Sequence, residues 1–375
     1  MKIKSFSFKN NSQNWQIEKV SFDNLNLLVG GSGVGKTSIL KALYLICNVA
    51  QGKVSMLEDV EWSIKFSHLD QDYRWDLKTS SIEKAFSIEP KQSEILDEKL
   101  SRFKDGLEIE ILHRTSENSK LDGEKLPKFK RTESAIALLS EEDSIAPIFK
   151  AFKRLLFNET REDEYPSIDS DPSSLPLSLD SQSKQSFKET TINYTTALKA
   201  YYLERIHPQI FDEIKEAYID IFPSVQDVRV IVKKESNNQY EIFLEIKGQG
   251  LEGWIPQYRI SSGMYRTLIY MIEILSAPNG SVIIIDEFEN SLGINCMPQL
   301  TDFILDKSVK LQFILTSHHP YIINNIPWKT WQLVSRTNGK IKTRRAIDIP
   351  QLDTASRLDK FTQLLNLLEY EDAVS

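Results

Sequence analysis

The chain has 375 residues, of which 41% are hydrophobic and 26% charged, and a formal net charge of −7. That length buries a large core and holds two domains, or one domain with a big insertion; the composition is that of an ordinary soluble protein, and its acidic balance argues against a general nucleic-acid coat while leaving room for a local basic patch. Cys47 and Cys296 lie far apart with no metal-ligand spacing, which fits a reducing cytoplasm, and no apolar run approaches the ~18–20 residues of a membrane span.

Three strand-like runs come first, Ile3–Phe8, Trp15–Phe22 and Leu25–Val29, with turn formers Asn10-Asn11-Ser12 and Asp23-Asn24 between them. The opening alternates like a strand and does not resemble a signal peptide. Directly after the third run stands Gly30-Gly31-Ser32-Gly33-Val34-Gly35-Lys36-Thr37, which satisfies G-x-x-x-x-G-K-[ST] at every specified position. Its right flank, from Ser38 to Ile46, has apolar residues at helical spacing, so a helix is expected over about Lys36–Val49. The motif therefore lies at a strand–loop–helix junction. Four glycines in six positions let the backbone turn its N–H groups inward, an anion nest at a helix N-terminus. Lys36 supplies a mobile charge for the β- and γ-phosphates, and Thr37 a hydroxyl ligand for Mg²⁺. The stretch from Gly30 to Ser38 predicts binding of a nucleoside triphosphate.

Between Val54 and Arg114, Trp62–His68, Tyr73–Thr79 and Leu107–His113 continue an antiparallel sheet, with a charged helical piece expected over Gln92–Lys104. Residues 131–160 read as helical, especially Ile145–Phe157, where Ile145, Ile148, Phe149, Phe152, Leu155 and Leu156 share one side. Composition then changes: 161–183 is rich in Ser, Asp and Pro, with six acids against one Arg, and reads as a solvated loop. A helical stripe over Thr195–Phe222 is divided by Pro208. Strands Val228–Lys233 and Tyr240–Ile246 follow, joined by Asn237-Asn238. No heptad pattern is sustained, so no long coiled coil is expected.

Past residue 255 the chemistry returns. Ser261-Ser262-Gly263 precedes the apolar helix Leu268–Leu275, a second helix N-terminus suited to an anion, or simply a cap. Ser281–Ile285 reads as a buried parallel strand ending in Asp286 and Glu287, which would stand at the ligand edge of an α/β sheet. There Asp286 would hold Mg²⁺ and Glu287 would polarise the attacking water. Lys310–Thr316 repeats the design and ends in Ser317-His318, a histidine placed to sense the γ-phosphate. The five histidines otherwise show no carboxylate cluster that would make a transition-metal site.

In that order, the P-loop, the Ser-Ser-Gly turn, the Asp-Glu strand and the Ser-His end resemble the motif set of ABC-type ATPases of the RecF/SMC/OLD-like group. Ile285–Leu292 and Leu315–Tyr321 are most similar to stand-alone bacterial AAA ATPases (AAA_15/AAA_21), many of which serve in phage-defence or abortive-infection modules. The resemblance covers both ends of the chain; about 90–225 matches only in general character. It implies an α/β fold, an ABC-type P-loop NTPase head with an N-terminal antiparallel β-subdomain and a helical insertion. Residues 1–130 would form the first ATPase lobe, 131–225 the insertion with a flexible acidic loop at 161–190, 226–346 the second lobe and 347–375 a tail helix. It further implies ATP hydrolysis with Mg²⁺ in a head-to-tail homodimer, or a higher oligomer, with two ATP molecules sandwiched. Gly30, Gly31, Ser32, Gly33, Val34, Gly35, Lys36, Thr37 and Ser38 of one subunit would hold the triphosphate, with Thr37 and Asp286 on the metal. Ser261, Ser262 and Gly263 of the other would cap the γ-phosphate. Glu287 would be the base, His318 the switch and Ser291 part of the D-loop contact. The pattern departs at Met264, where Glu or Gln is common, and at Gly293 and His319; no Q-loop glutamine is placed.

After His318 only 57 residues remain, too few for a Toprim nuclease, and the interval from Thr37 to Ser261 is too short for SMC-scale arms. The expectation is a cytoplasmic, non-membrane motor or switch whose output comes from a co-encoded effector, a nuclease or toxin, in antiphage defence. The alternative is a RecF-like repair ATPase that binds DNA directly. Trp331–Arg336 and Lys340–Arg345 flank Asn338-Gly339, a hairpin signal. Its basic residues suit a nucleic-acid or acidic-partner surface, or a charged edge ribbon. The tail helix Leu358–Tyr370 could dock on its own core or on a partner.

Overall fold

The computed structural model describes the chain except for residues 55, 56, 58, 81–92, 159–166, 169–181, 236–238, 294–295, 354–355, 357–358, 365 and 368–375. The turn expected at Asn237-Asn238 and most of the acidic stretch 161–183 lie outside the described residues. Strands β1 (Lys2–Asn10), β2 (Trp15–Ser21) and β3 (Leu25–Val29) lead into α1 (Lys36–Ala50). Then come β4 (Val60–His68), β5 (Gln71–Thr79), β6 (Ile95–Lys104), β7 (Leu107–Thr115), β8 (Ser119–Leu121) and β9 (Glu124–Lys125). Two short helices, α2 (Ala135–Leu138) and α3 (Ala146–Phe152), precede β10 (Leu155–Asn158) and β11 (Ser167–Ile168). A mainly helical run holds α4 (Lys184–Thr190), α5 (Thr196–Ile206) and α6 (Pro208–Ile221), then β12 (Val225–Lys234), β13 (Tyr240–Gly248), β14 (Trp254–Pro256) and α7 (Ser262–Ser276). The chain continues through β15 (Val282–Ile285), α8 (Met297–Lys307), β16 (Gln312–Thr316), α9 (Pro320–Asn325), β17 (Trp331–Thr337) and β18 (Lys340–Arg345). The fold is α/β as expected. The longest of these helices have 15 residues, so no long coiled coil occurs among the described residues.

The chain divides into two compact units. The first comprises Met1–Asn158, Gly280–Phe288 and Leu311–Ser375. Its sheet has the strand order β10-β15-β16-β3-β17-β18-β2-β1-β4-β5-β6-β7-β8-β9. The strands from β10 through β17 run parallel, and those from β2 through β9 antiparallel. Ile39, Leu40, Leu43 and Ile46 of α1 bury in one apolar cluster with Phe6, Trp62, Phe66, Trp75 and Phe152. Such burial is the main term that holds a helix on a sheet. Buried amides tie the two halves. Gln312 accepts from the Ile3 N–H at 2.8 Å and donates to the carbonyls of Ile3 and Asp23, each at 2.8 Å. The second unit comprises Glu159–Asn279 and Glu289–Lys310. In it α5 and α6 pack on β12, and β12 pairs antiparallel with β13. Pro208 does divide the helical stripe, standing at the first position of α6, where its missing N–H costs no helical bond.

Two helix expectations change, and two alternatives left open are decided. Gln92–Lys104 is not helical in its described part but forms β6, paired on both sides. The alternation that would have revealed it is hidden by Glu98, a buried acid, and by a register shift at Leu100/Ser101. Glu98 accepts from Arg114 at 2.5 Å, from the Trp75 indole at 3.2 Å and from the Ala135 N–H, so its charge is paired and hydrogen-bonded. The helix expected to Phe157 ends at Phe152, and Leu155–Asn158 pairs in parallel with Val282–Ile285. Described residues of 131–158 accordingly belong to the first unit rather than with the helical stretch after it. The basic hairpin is no edge ribbon: β17 pairs with β3 and β18 with β2. In the tail, described residues 359–364 are helical, Leu364 is buried and the Lys360 ammonium lies 5.3 Å from the Trp328 ring centroid, so the segment docks on its own unit.

Candidate nucleotide site

Strand β3 is buried at all five positions and lies between β16 and β17. Its chain then enters the glycine loop and emerges as α1. Gly33 and Gly35 have φ of +80° and +107°, conformations that favour glycine. A Cβ on Gly30 would stand 2.5 Å from the Val334 carbonyl oxygen, and one on Gly35 would strike Ile341. The hairpin β17–β18 thus backs the loop, a role that the loop's own sequence did not signal. Lys36 is buried and folds over the loop, donating to the carbonyls of Gly30 at 2.9 Å and Gly31 at 2.7 Å. Thr37 and Ser38 follow in the first turn, half-buried, while Ser32 and Gly33 are exposed and Gly31 and Val34 half-buried.

Parallel pairing brings the other strand ends to the same edge. Ile285 pairs with Leu315, and Thr316 with Leu28, so β15, β16 and β3 end side by side, about 4.8 Å apart. All four residues of β15 are buried, whereas Asp286 is half-buried and Glu287 exposed. The turn after β15 is held from β16. The Thr316 hydroxyl donates to Asp286 Oδ1 at 2.6 Å and accepts from the Glu287 N–H at 2.7 Å, and the Phe288 N–H donates to the Thr316 carbonyl at 3.0 Å. Glu287 adopts φ +46°. His318 is exposed one residue beyond Ser317. His319 instead caps α9, its Nδ1 accepting from the Tyr321 N–H at 3.1 Å.

Ser261, Ser262 and Gly263 lie in the second unit. Ser261 is the N-cap of α7, accepting from the Met264 N–H at 3.4 Å, and both serines are exposed. Gly263 is buried: a Cβ there would stand 2.5 Å from the Ser291 carbonyl oxygen. Ser291 itself has φ +61°. Gly263 and Ser291 are therefore closely packed within one unit. Tyr218 donates to the Met264 carbonyl at 3.1 Å and Thr267 to the Gly263 carbonyl at 2.8 Å. Burial, with Cys296 nearby, holds the Tyr218 phenol above its usual range, which keeps it a donor. Lys199 and Thr196 clasp Glu273 at 2.6 and 2.5 Å and fix α7 to α5.

The family described as "AAA domain, putative AbiEii toxin, Type IV TA system" matches residues 25–324, from β3 through the strand ends to α9. The chain belongs to this family. Among curated proteins no sequence matches. Among solved structures, the fold is similar to an Smc head bound to the C-winged helix domain of ScpA, at 14% identity and a TM-score of 0.51, covering 92% of this chain and 97% of that one. A Pyrococcus furiosus Smc head with an extended coiled coil, bound to the C-terminal domain of ScpA, aligns at 13% identity and a TM-score of 0.47, covering 98% and 99%. The SMC head domain from Thermotoga maritima aligns at 11% and 0.44, covering 92% and 99%. The ATPase-type architecture thus rests on the family and on the fold. Among the described residues, no helix is long and apolar enough to cross a membrane.

Proposed function

We propose that the chain hydrolyses ATP with Mg²⁺ in a head-to-tail dimer and uses that cycle to hold or release a partner effector, a nuclease or toxin, in antiphage defence. The observation that carries the proposal is the shared edge of β3, β15 and β16, where the glycine loop, the two acids and His318 follow the ends of adjacent parallel strands. Gly30 to Ser38 would cradle the phosphates, since the loop has no Cβ at its two most crowded points and Lys36 can exchange carbonyl partners for phosphate oxygens. Thr37 and Asp286 offer hard oxygens that suit Mg²⁺, and they are few enough to leave positions for phosphate and water. When bound, the metal neutralises charge on the β- and γ-phosphoryl oxygens.

Glu287 takes the proton of the attacking water as its oxygen bonds the γ-phosphorus and the bond to the bridging oxygen breaks, releasing ADP. His318 donates to the γ-phosphoryl group. Ser261, Ser262 and Gly263 of a second copy close the site, which the exposure of both serines at the start of a 15-residue helix favours. The family's description, with its toxin and type IV TA terms, supports the defence setting, and the head found bound to a winged-helix domain supports output through a docked protein.

The test is a pull-down with the Glu287→Gln protein and ATP, alongside light scattering. Turnover should fall by ~10²-fold or more while ATP binding is kept. A dimer should accumulate and retain the product of the adjacent gene. Near-normal hydrolysis removes Glu287 from the base role; recovery of nucleic acid alone replaces the effector switch with a DNA-clamping ATPase.

A further inference from the structure

We infer that Thr316 is a positioning residue that sets both acids of the site through one hydroxyl; this rests on the ATPase reading above. Thr316 is the last residue of β16 and is 1% exposed. Its Oγ1 uses both of its capacities on the neighbouring turn, donating to Asp286 Oδ1 at 2.6 Å and accepting from the Glu287 N–H at 2.7 Å. A hydroxyl can do this because it carries a donor and acceptor lone pairs on one atom. The ladder between β15 and β16 stops at Ile285 and Leu315, so these bonds and the Phe288 N–H to Thr316 carbonyl bond continue the attachment beyond the last paired residues.

The attachment matters because Glu287 occupies φ +46°, a conformation that a non-glycine residue keeps only when its surroundings impose it. The left-handed kink turns the chain so that the Glu287 side chain is exposed while Phe288, the next residue, is fully buried. Phe288 anchors one side of the kink and the Thr316 hydroxyl the other. The same hydroxyl fixes one oxygen of Asp286 and so orients the carboxylate for a cation. Loss of Oγ1 would remove this shared partner from the Glu287 N–H and Asp286 Oδ1 and so uncouple the placement of the two acids.

Thr316→Val keeps the shape and removes the hydroxyl. Steady-state kinetics should show kcat lowered about 10- to 100-fold with KM for ATP within about twofold, the scale typical of groups that orient a metal ligand. Two readouts apart from turnover should move with it. The Glu287 amide should exchange hydrogen faster than in the wild type, and fluorescent ATP should bind with a weaker dependence on added Mg²⁺. Thr316→Ser should restore all three to near wild type. If the valine variant fails to fold, Thr316→Ala takes its place. Wild-type kcat and unchanged Glu287 exchange in a folded hydroxyl-free variant overturn the positioning role. A wild-type protein that neither binds nor hydrolyses ATP overturns the underlying reading instead, so the two failures are distinct.

Discussion

Gly263→Ala is the sharpest test of how the Ser-Ser-Gly turn is built. The added methyl would sit 2.5 Å from the Ser291 carbonyl oxygen, 3.2 Å from the Gly293 nitrogen and 3.6 Å from Leu292 Cα. All three are backbone atoms, so no side chain can rotate away. Ordinary carbon–oxygen contact needs roughly 0.8 Å more room, and the turn that must yield is already constrained, with Ser291 at φ +61° and the Leu292 N–H bonded to the Glu289 carbonyl at 3.0 Å. Overpacking of this kind costs about 1–3 kcal/mol. Thermal unfolding should register a fall of about 2–8 °C per kcal/mol, according to how much of the chain unfolds together. Displacing Ser261 and Ser262 with the turn should lower ATP turnover by about 10- to 100-fold. Affinity for fluorescent ATP, which the proposed function assigns to the glycine loop of the first unit, should stay within about twofold. Gly253→Ala is the control, because a Cβ there meets no described atom within 4 Å; it should change stability by less than about 0.5 kcal/mol. A Gly263→Ala protein with wild-type melting temperature and turnover would refute the reasoning.

Lys36→Ala should abolish nucleotide binding in a fluorescence titration; unchanged affinity would sink the phosphate-loop assignment. A third prediction concerns acid stability. His68 is 6% exposed, and burial, helped by the Met1 ammonium and Arg154, lowers its pKa from 6.5 to about 4. The folded protein therefore holds His68 neutral where the unfolded chain binds a proton, so stability falls as pH drops from about 6.5 to about 4. The slope from this group is at most about 1.4 kcal/mol per pH unit. Melting curves of His68→Gln across that window should be flatter than those of the wild type, and parallel curves would exclude His68 as the source.

Much of the site was legible in sequence because its elements are local. A glycine loop between an apolar strand and an apolar-periodic helix, and two aliphatic runs that end in polar residues, each state their own structure, and all are present. The Asn338-Gly339 turn likewise forms, with φ of +50° and +76° that suit a type I′ hairpin. What failed was local pattern broken by distant partners. Glu98 looked like a surface acid of a helix, yet it is a buried strand residue because Arg114, from the next strand, neutralises it. Leu155–Phe157 continued a helical stripe, yet β15 offered it a ladder.

The amino-acid order by itself determined the glycine loop, the acidic strand end and the histidine that follows β16. Those features follow from backbone freedom, strand burial and turn chemistry within about ten residues of each. Only the tertiary structure decided that the basic hairpin is an interior part of the large sheet, where Val334 and Ile341 crowd Gly30 and Gly35, and that Thr316 joins Asp286 to Glu287. The reason is physical: both depend on pairing between strands far apart in the chain, and a hydroxyl with bonds to two residues some thirty positions away leaves no periodicity for a reader of the sequence to find.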